Sequence, residues 1–201
     1  DCVLYAYWVE VFSYKATYNA ATNEYDTVTV SKGPALTEGI LEEVTIPSRY
    51  YGTLTFINEH LGTEEGDGGN RQQEATKWWT VTRIADDAFQ LCSSLVRVNM
   101  PDTITNAGVG SEGSYYSGAF KSCSKLATLF VYDSKVYDAE ATKGQLVEVN
   151  YAPDAIYWSL DGVLYKNDSA SNEIEVTCYP YAKADSIAYI AYPVTLIPQY
   201  T

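Results

Sequence analysis

The stretch VTRIADDAFQLCSSLVRVNMPDT, Val81 to Thr103, decides how this chain is read, because its pattern occurs twice. The second copy runs ITNAG, an interruption, and then SGAFKSCSKLATLFV, from Ile104 to Val131. Aligning the copies places Ala88-Phe89 on Ala119-Phe120, Cys92-Ser93 on Cys123-Ser124, Leu95 on Leu126, Val98 on Leu129 and Met100 on Val131. Phe89 to Phe120 and Cys92 to Cys123 are the same 31-residue step. A repeat of this length is one supersecondary unit whose apolar side is buried by stacking on a neighbour. Val98 and Met100, like Leu129 and Val131, are two residues apart, which is strand periodicity. Pro101 ends the first strand, because it has no N–H to give to a ladder. Ile84 to Phe89 reads as a short helical or 3₁₀ turn opposite that strand. Phe89 and Phe120 are expected to point inward and stack. Cys92 and Cys123 follow at the bend, where a small apolar side chain fits.

The joint occurrence of Ala-Phe, Cys, Leu and the strand apolars resembles the BspA-like leucine-rich repeat, a family of bacterial surface and secreted proteins. Ala107 stands where that repeat usually has Ile, and Gly108 to Tyr116 lengthens the second unit. The resemblance implies a leucine-rich-repeat solenoid, a right-handed β-α superhelix of short parallel strands and short helical or 3₁₀ turns, with β-hairpin caps. Residues 1–42 are then an N-terminal hairpin cap, with strands over Leu4 to Phe12 and Tyr25 to Val30. Residues 43–134 hold the repeats, starting from the partial unit Glu43-Val44-Thr45-Ile46-Pro47-Ser48 and carrying a long insertion at 49–80. Residues 135–201 hold a polar connector and the hairpin module Ser159-Leu160-Asp161-Gly162-Val163-Leu164-Tyr165, with Asp161-Gly162 as a tight turn. A partial terminal repeat, Tyr189 to Ile197, follows it. The resemblance also implies adhesion to matrix proteins or other cells, and an extracellular or cell-envelope location. The sequence opens on Asp1 and not on Met, so it is read as a mature or trimmed chain. Cys2 is not read as a lipid anchor, because Asp1 precedes it.

Composition narrows the partners. The chain has 201 residues, is 46% hydrophobic and carries a formal charge of −13, so it suits one folded unit with a core and not a disordered segment. That charge argues against nucleic acid and anionic membrane surfaces, where a basic patch supplies the affinity. No run is long and apolar enough for a membrane helix, so no membrane insertion of this chain is expected. The 19 tyrosines fit β-rich packing first and a recognition surface second.

Catalysis finds little support. The single histidine, His60, lacks the flanking motif of a nucleophile elbow. Glu64-Glu65-Gly66-Asp67 lacks the alternating spacing of a calcium loop, and no Cys pair has zinc spacing. The glycines at 66–69 lack the ending of a phosphate loop. No enzyme, cofactor or metal is expected. The reading is a non-enzymatic binding module for a surface protein or a glycan. The alternative is a structural or assembly unit with no ligand of its own. Candidate contact residues are Tyr50, Tyr51 and Phe56 at one end of the insertion, Trp78 and Trp79 at the other, and Arg97 and Asn99 on a repeat strand. Aromatic anchors beside a polar loop suit recognition. The competing expectation is that Phe56, Ile57 and Trp79 only pin the insertion to the core.

Overall fold

The computed structural model describes residues 10–37, 39–58, 71–108, 118–139, 146, 156–183 and 194–195. The elements run β1 (Phe12–Asn19), β2 (Glu24–Lys32), α1 (Pro34–Thr37), β3 (Glu43–Thr45), β4 (Arg49–Asn58), β5 (Arg71–Ile84), β6 (Arg97–Pro101), β7 (Thr128–Tyr132), α2 (Ser134–Ala139), β8 (Tyr157–Leu160), β9 (Val163–Asp168) and β10 (Glu173–Cys178). They form three sheets: a four-stranded one ordered β1-β2-β5-β4, a three-stranded one ordered β3-β6-β7, and another ordered β10-β9-β8.

This arrangement overturns the leucine-rich-repeat solenoid. Strands take up 51% of the described residues and helices 7%, and the largest sheet curls into a half-barrel. In that sheet β1 pairs antiparallel with β2 and β4 antiparallel with β5, while β2 and β5 run parallel. The third sheet is an antiparallel meander. The parallel ladder is one three-stranded sheet, β3-β6-β7. The physical reason is the number of copies. Two units stacked on each other leave two apolar ends open, and a solenoid needs further coils to cover them. Here the half-barrel packs on one end and the β8-β9 hairpin on the other.

Within the repeat region the aligned positions do meet. Val98 pairs with Leu129 and Met100 with Val131 in the parallel ladder. Phe89 and Phe120 are buried and stacked, with centroids 5.5 Å apart and planes 5° apart. Their segments form hydrogen-bonded turns and not helices. The turns are zipped together by Phe89 N–H to Ala119 O (2.8 Å) and Leu91 N–H to Lys121 O (3.0 Å). Leu91 (φ 66°) and Ser122 (φ 60°) occupy equivalent places, each in the left-handed region. Cys92 and Cys123 are buried and unbridged, and Cys178 is also free. The Cys123 thiol donates to Phe89 O at 3.0 Å, and burial, reinforced by Cys92, pushes it up to about 11.

The flanking parts depart from their expected form. The first strand begins at Phe12, and most of the stretch read as that strand, 4–12, lies outside the described residues. The segment read as a long inserted loop, 49–80, contributes β4 and most of β5, an antiparallel hairpin in register from Arg49↔Thr80 to Asn58↔Arg71. The stretches read as a cap and as an insertion thus share one sheet. Its edges, β1 and β4, are drawn together by the stacked rings of Tyr14 and Tyr50, 4.1 Å apart. Phe12 sets its ring edge-on to Phe89 at 6.4 Å and so joins the half-barrel to the repeat core. At the opposite end, Leu129 N–H donates to Gly162 O (2.9 Å) and Val131 N–H to Ser159 Oγ (2.8 Å), which docks the β8-β9 hairpin on β7. Asp161 (φ 51°) and Gly162 (φ 78°) make the tight turn of that hairpin. Most of 189–197 lies outside the described residues.

Candidate functional site: the outward face of the β4-β5 hairpin

Neighbouring residues in a strand point to opposite faces. β4 follows this rule along its whole length, with burial alternating residue by residue from Arg49 (exposed) to Asn58 (half-buried). The five aromatic candidates of the hairpin are therefore divided. Tyr50, Phe56 and Trp79 belong to the packed side. Trp79 is fully buried, and its indole N–H donates to Gly52 O at 3.0 Å. Lys77 Nζ lies over its ring, 4.6 Å from the centroid. Phe56 stacks on Tyr25 at 4.5 Å and meets Trp79 edge-on at 6.0 Å. The Tyr25 hydroxyl donates to Ile57 O. Gly52 leaves room for the Tyr50 ring, which lies back over it and would have to shift to admit a Cβ at that position. Burial pushes the Tyr14 phenol, stacked on Tyr50, up to about 12, with further contributions from Tyr50 and Glu10. The expectation that Phe56 and Trp79 serve as packing holds; for Ile57 it fails, since that side chain is 49% exposed.

Tyr51 and Trp78 point the other way. They are direct cross-strand partners, 59% and 62% exposed, with ring centroids 5.3 Å apart and planes tilted by 51°. One rung further on the same face, Thr53 and Thr76 hydrogen-bond hydroxyl to hydroxyl at 2.7 Å. The next rungs are Thr55↔Glu74 and Ile57↔Gln72, and Arg49↔Thr80 lies on the other side of the aromatic pair. Thr55 and Ile57 also border a cleft of about 550 Å³ between β4 and the β1-β2 hairpin, with Lys15, Thr17, Tyr18 and Tyr25 on its other walls. Thr53, Thr76 and the cleft residues escaped the sequence reading, because they are legible only once the hairpin register is known.

Arg97 and Asn99 are held elsewhere, on one face of the parallel sheet. Asn99 is fully buried. It donates to Glu43 Oε1 (2.8 Å) and Thr45 Oγ1 (3.1 Å) and accepts from Arg97 Nε (2.6 Å). Arg97 also pairs with Glu43 at 3.5 Å and lies over the Phe130 ring at 4.7 Å. Both side chains are committed to tying β3, β6 and β7 together, so they do not join the hairpin residues in one site. His60 and the acidic run 64–67 lie outside the described residues. Among the described residues no group of three His, Cys, Asp or Glu side chains is placed to hold a metal ion, and no helix is long and apolar enough to cross a membrane. The hairpin face presents two exposed rings beside a row of hydroxyls. Comparison with known protein families, with curated proteins and with solved structures returned no match.

Proposed function

We propose that this protein is a non-enzymatic binding module, acting at the cell surface or after secretion, and that the outward face of β4-β5 is its contact surface. The observation that carries this is the adjacent exposure of Tyr51 and Trp78. Large aromatic side chains left in water are a standing cost to a soluble fold, and Trp and Tyr are the residue types that dominate binding energy where partners meet. With more than half of each ring exposed, a partner can still cover roughly 100 Å² on each, which is about 2–4 kcal/mol per ring. The extracellular placement rests on the resemblance of 81–131 to BspA-like repeats.

The test is a Tyr51→Ala/Trp78→Ala double variant, screened beside the parent chain against immobilised matrix proteins and polysaccharides. The melting temperature should stay within a few degrees, because both side chains lie outside the core. Affinity for any captured partner should fall at least about 30-fold, the equivalent of 2 kcal/mol. A double variant that keeps full affinity would move the contact away from this face.

A further inference from the structure

We infer that the ligand of the β4-β5 face is an uncharged glycan chain; this rests on the reading of that face as the contact surface. Three observations on the face converge.

The first is charge. Of the described outward positions on the hairpin, Arg49 carries the positive charge and Glu74 the negative one, so the face is neutral within a chain of formal charge −13. A polyanionic chain such as a sulfated glycan would meet the field of the whole molecule with one arginine to offset it, and Lys15 only at the far cleft. A cationic partner would find one carboxylate, Glu74, among the described outward positions.

The second is area. Over the described residues the face is ten residue pairs long and two strands wide. At ~3.3 Å per residue and ~4.8 Å per strand, it measures about 33 by 10 Å. A strip about 10 Å wide is narrow beside the broad patch that a stable protein–protein interface of ~800 Å² per side requires. It is ample for a ribbon-shaped ligand lying along the strands. The same narrowness argues against a second copy of the chain.

The third is the order of chemistry along the face. A pyranose ring has an apolar C–H side and a rim of hydroxyls, each of which both donates and accepts. The tilted Tyr51 and Trp78 rings form a shallow notch for the C–H side. The Thr53–Thr76 hydroxyl pair stands one rung away, about 7 Å along the strands. Thr55, Glu74 and Gln72 continue the row of hydrogen-bonding groups towards the cleft beside Ile57. A hydroxyl can both give and take a hydrogen bond, so a row of threonines matches sugar hydroxyls without fixing a charge.

The experiment is retention of the whole chain on insoluble cellulose, chitin, xylan, starch and β-1,3-glucan, with immobilised heparin and polygalacturonate as anionic comparisons. The expected result is retention on at least one uncharged polymer, unchanged between about 0.05 and 0.5 M NaCl, where charge-driven binding collapses. Trp78→Ala should weaken it at least tenfold. Thr53→Val/Thr76→Val, which keeps the shape and removes the hydroxyls, should weaken it several-fold, both variants melting like the parent. Failure on every uncharged polymer, retention confined to the anionic ones, or retention untouched by Trp78→Ala overturns the inference. If a protein, or a second copy seen by sedimentation, is bound instead and lost in Trp78→Ala, the glycan assignment fails while the contact face stands. If Trp78→Ala alters no binding at all, both fail.

Discussion

Removing the Phe89 ring tests the packing that joins the two repeat copies to the half-barrel. Phe89 is fully buried, lies parallel to Phe120 at 5.5 Å and receives the edge of Phe12 at 6.4 Å. Phe→Ala in a core costs about 3–5 kcal/mol, the spread reflecting how far the cavity collapses. Collapse is resisted here, because the turns on either side are fixed by the Phe89 N–H to Ala119 O bond and the Cys123 thiol on Phe89 O. Phe89→Ala should therefore cost about 4–5 kcal/mol, near the top of that range. Phe120, 9% exposed, should cost about 3–4 kcal/mol. The stacked pair adds about 0.5–1.5 kcal/mol of its own, so the double variant should lose less than the sum by about that amount. The assay is urea unfolding followed by far-UV circular dichroism, with m-values checked for constancy. In a chain of this size the Phe89→Ala loss corresponds to a drop of roughly 8–20 °C in melting temperature. Single losses below about 1 kcal/mol, or strict additivity in the double variant, would refute the stacked interior and with it the alignment of the two copies.

Three further outcomes are expected. Trp79→Phe keeps most of the buried ring but leaves Gly52 O without its donor, so it should cost about 1–3 kcal/mol in the same titration, and a change under a few tenths would mean that bond is absent. Stability should fall as pH rises from about 9 towards 12. Burial holds Cys123 up to about 11 and Cys178 and Tyr14 up to about 12, so in that window the unfolded chain has shed protons that the folded chain keeps. A flat melting temperature across that window would contradict this, as would thiol titration detecting Cys92 or Cys123 before unfolding. Gly108→Ala should cost at least about 2 kcal/mol, since its φ is +63° and a Cβ would stand 2.5 Å from the backbone oxygens of Ile84 and Ala85; a neutral effect by thermal melt would show that this loop yields.

The repeat was legible because its apolar positions recur at one step and the strand pairs them by that same step. Val98 opposite Leu129 is the sequence alignment turned into a ladder. The error was to make that ladder the frame of the fold, with residues 1–42 as a cap and 49–80 as a loop inserted into it, when those two stretches build the largest sheet. Two copies cannot close a solenoid, and the covering surface had to come from residues outside the repeat. Arg49 to Asn58 does carry a strand signal, with Tyr50, Leu54 and Phe56 at even spacing. Gly52 breaks that series, and the doubled aromatics Tyr50-Tyr51 and Trp78-Trp79 blur it, because each doublet puts one ring on either face. The doublets also explain the mixed candidate site. The five aromatics at the two ends of the presumed insertion read as one set of anchors, whereas strand alternation sends two to solvent and three to the packed side. Arg97 and Asn99 were misleading in another way. Polar side chains on a repeat strand look available until their neighbours, Glu43 and Thr45, are known to lie alongside.

The parallel pairing of β2 with β5 fixes an order in which the chain can assemble. β1-β2 and β4-β5 are hairpins between successive strands, and such pairs zip within microseconds. The β2-β5 ladder joins residues as distant as Thr27 and Thr80, and β3-β6 joins Glu43 to Arg97, so both wait on slow closure of long stretches of chain. The Tyr51–Trp78 rung should therefore exist before the core beneath it. Pulse-labelled hydrogen exchange would show this as amide protection in β4 and the first half of β5 ahead of β3 and β6; simultaneous protection would rule it out. During that interval the hairpin has Phe56 and Trp79 uncovered on one face, Tyr51 and Trp78 on the other, and free backbone at both edges. A two-sided aromatic ribbon of that kind pairs readily with its own copies, so the vulnerable moment of this protein is refolding at high concentration and not the finished fold, whose strong negative charge keeps the molecules apart.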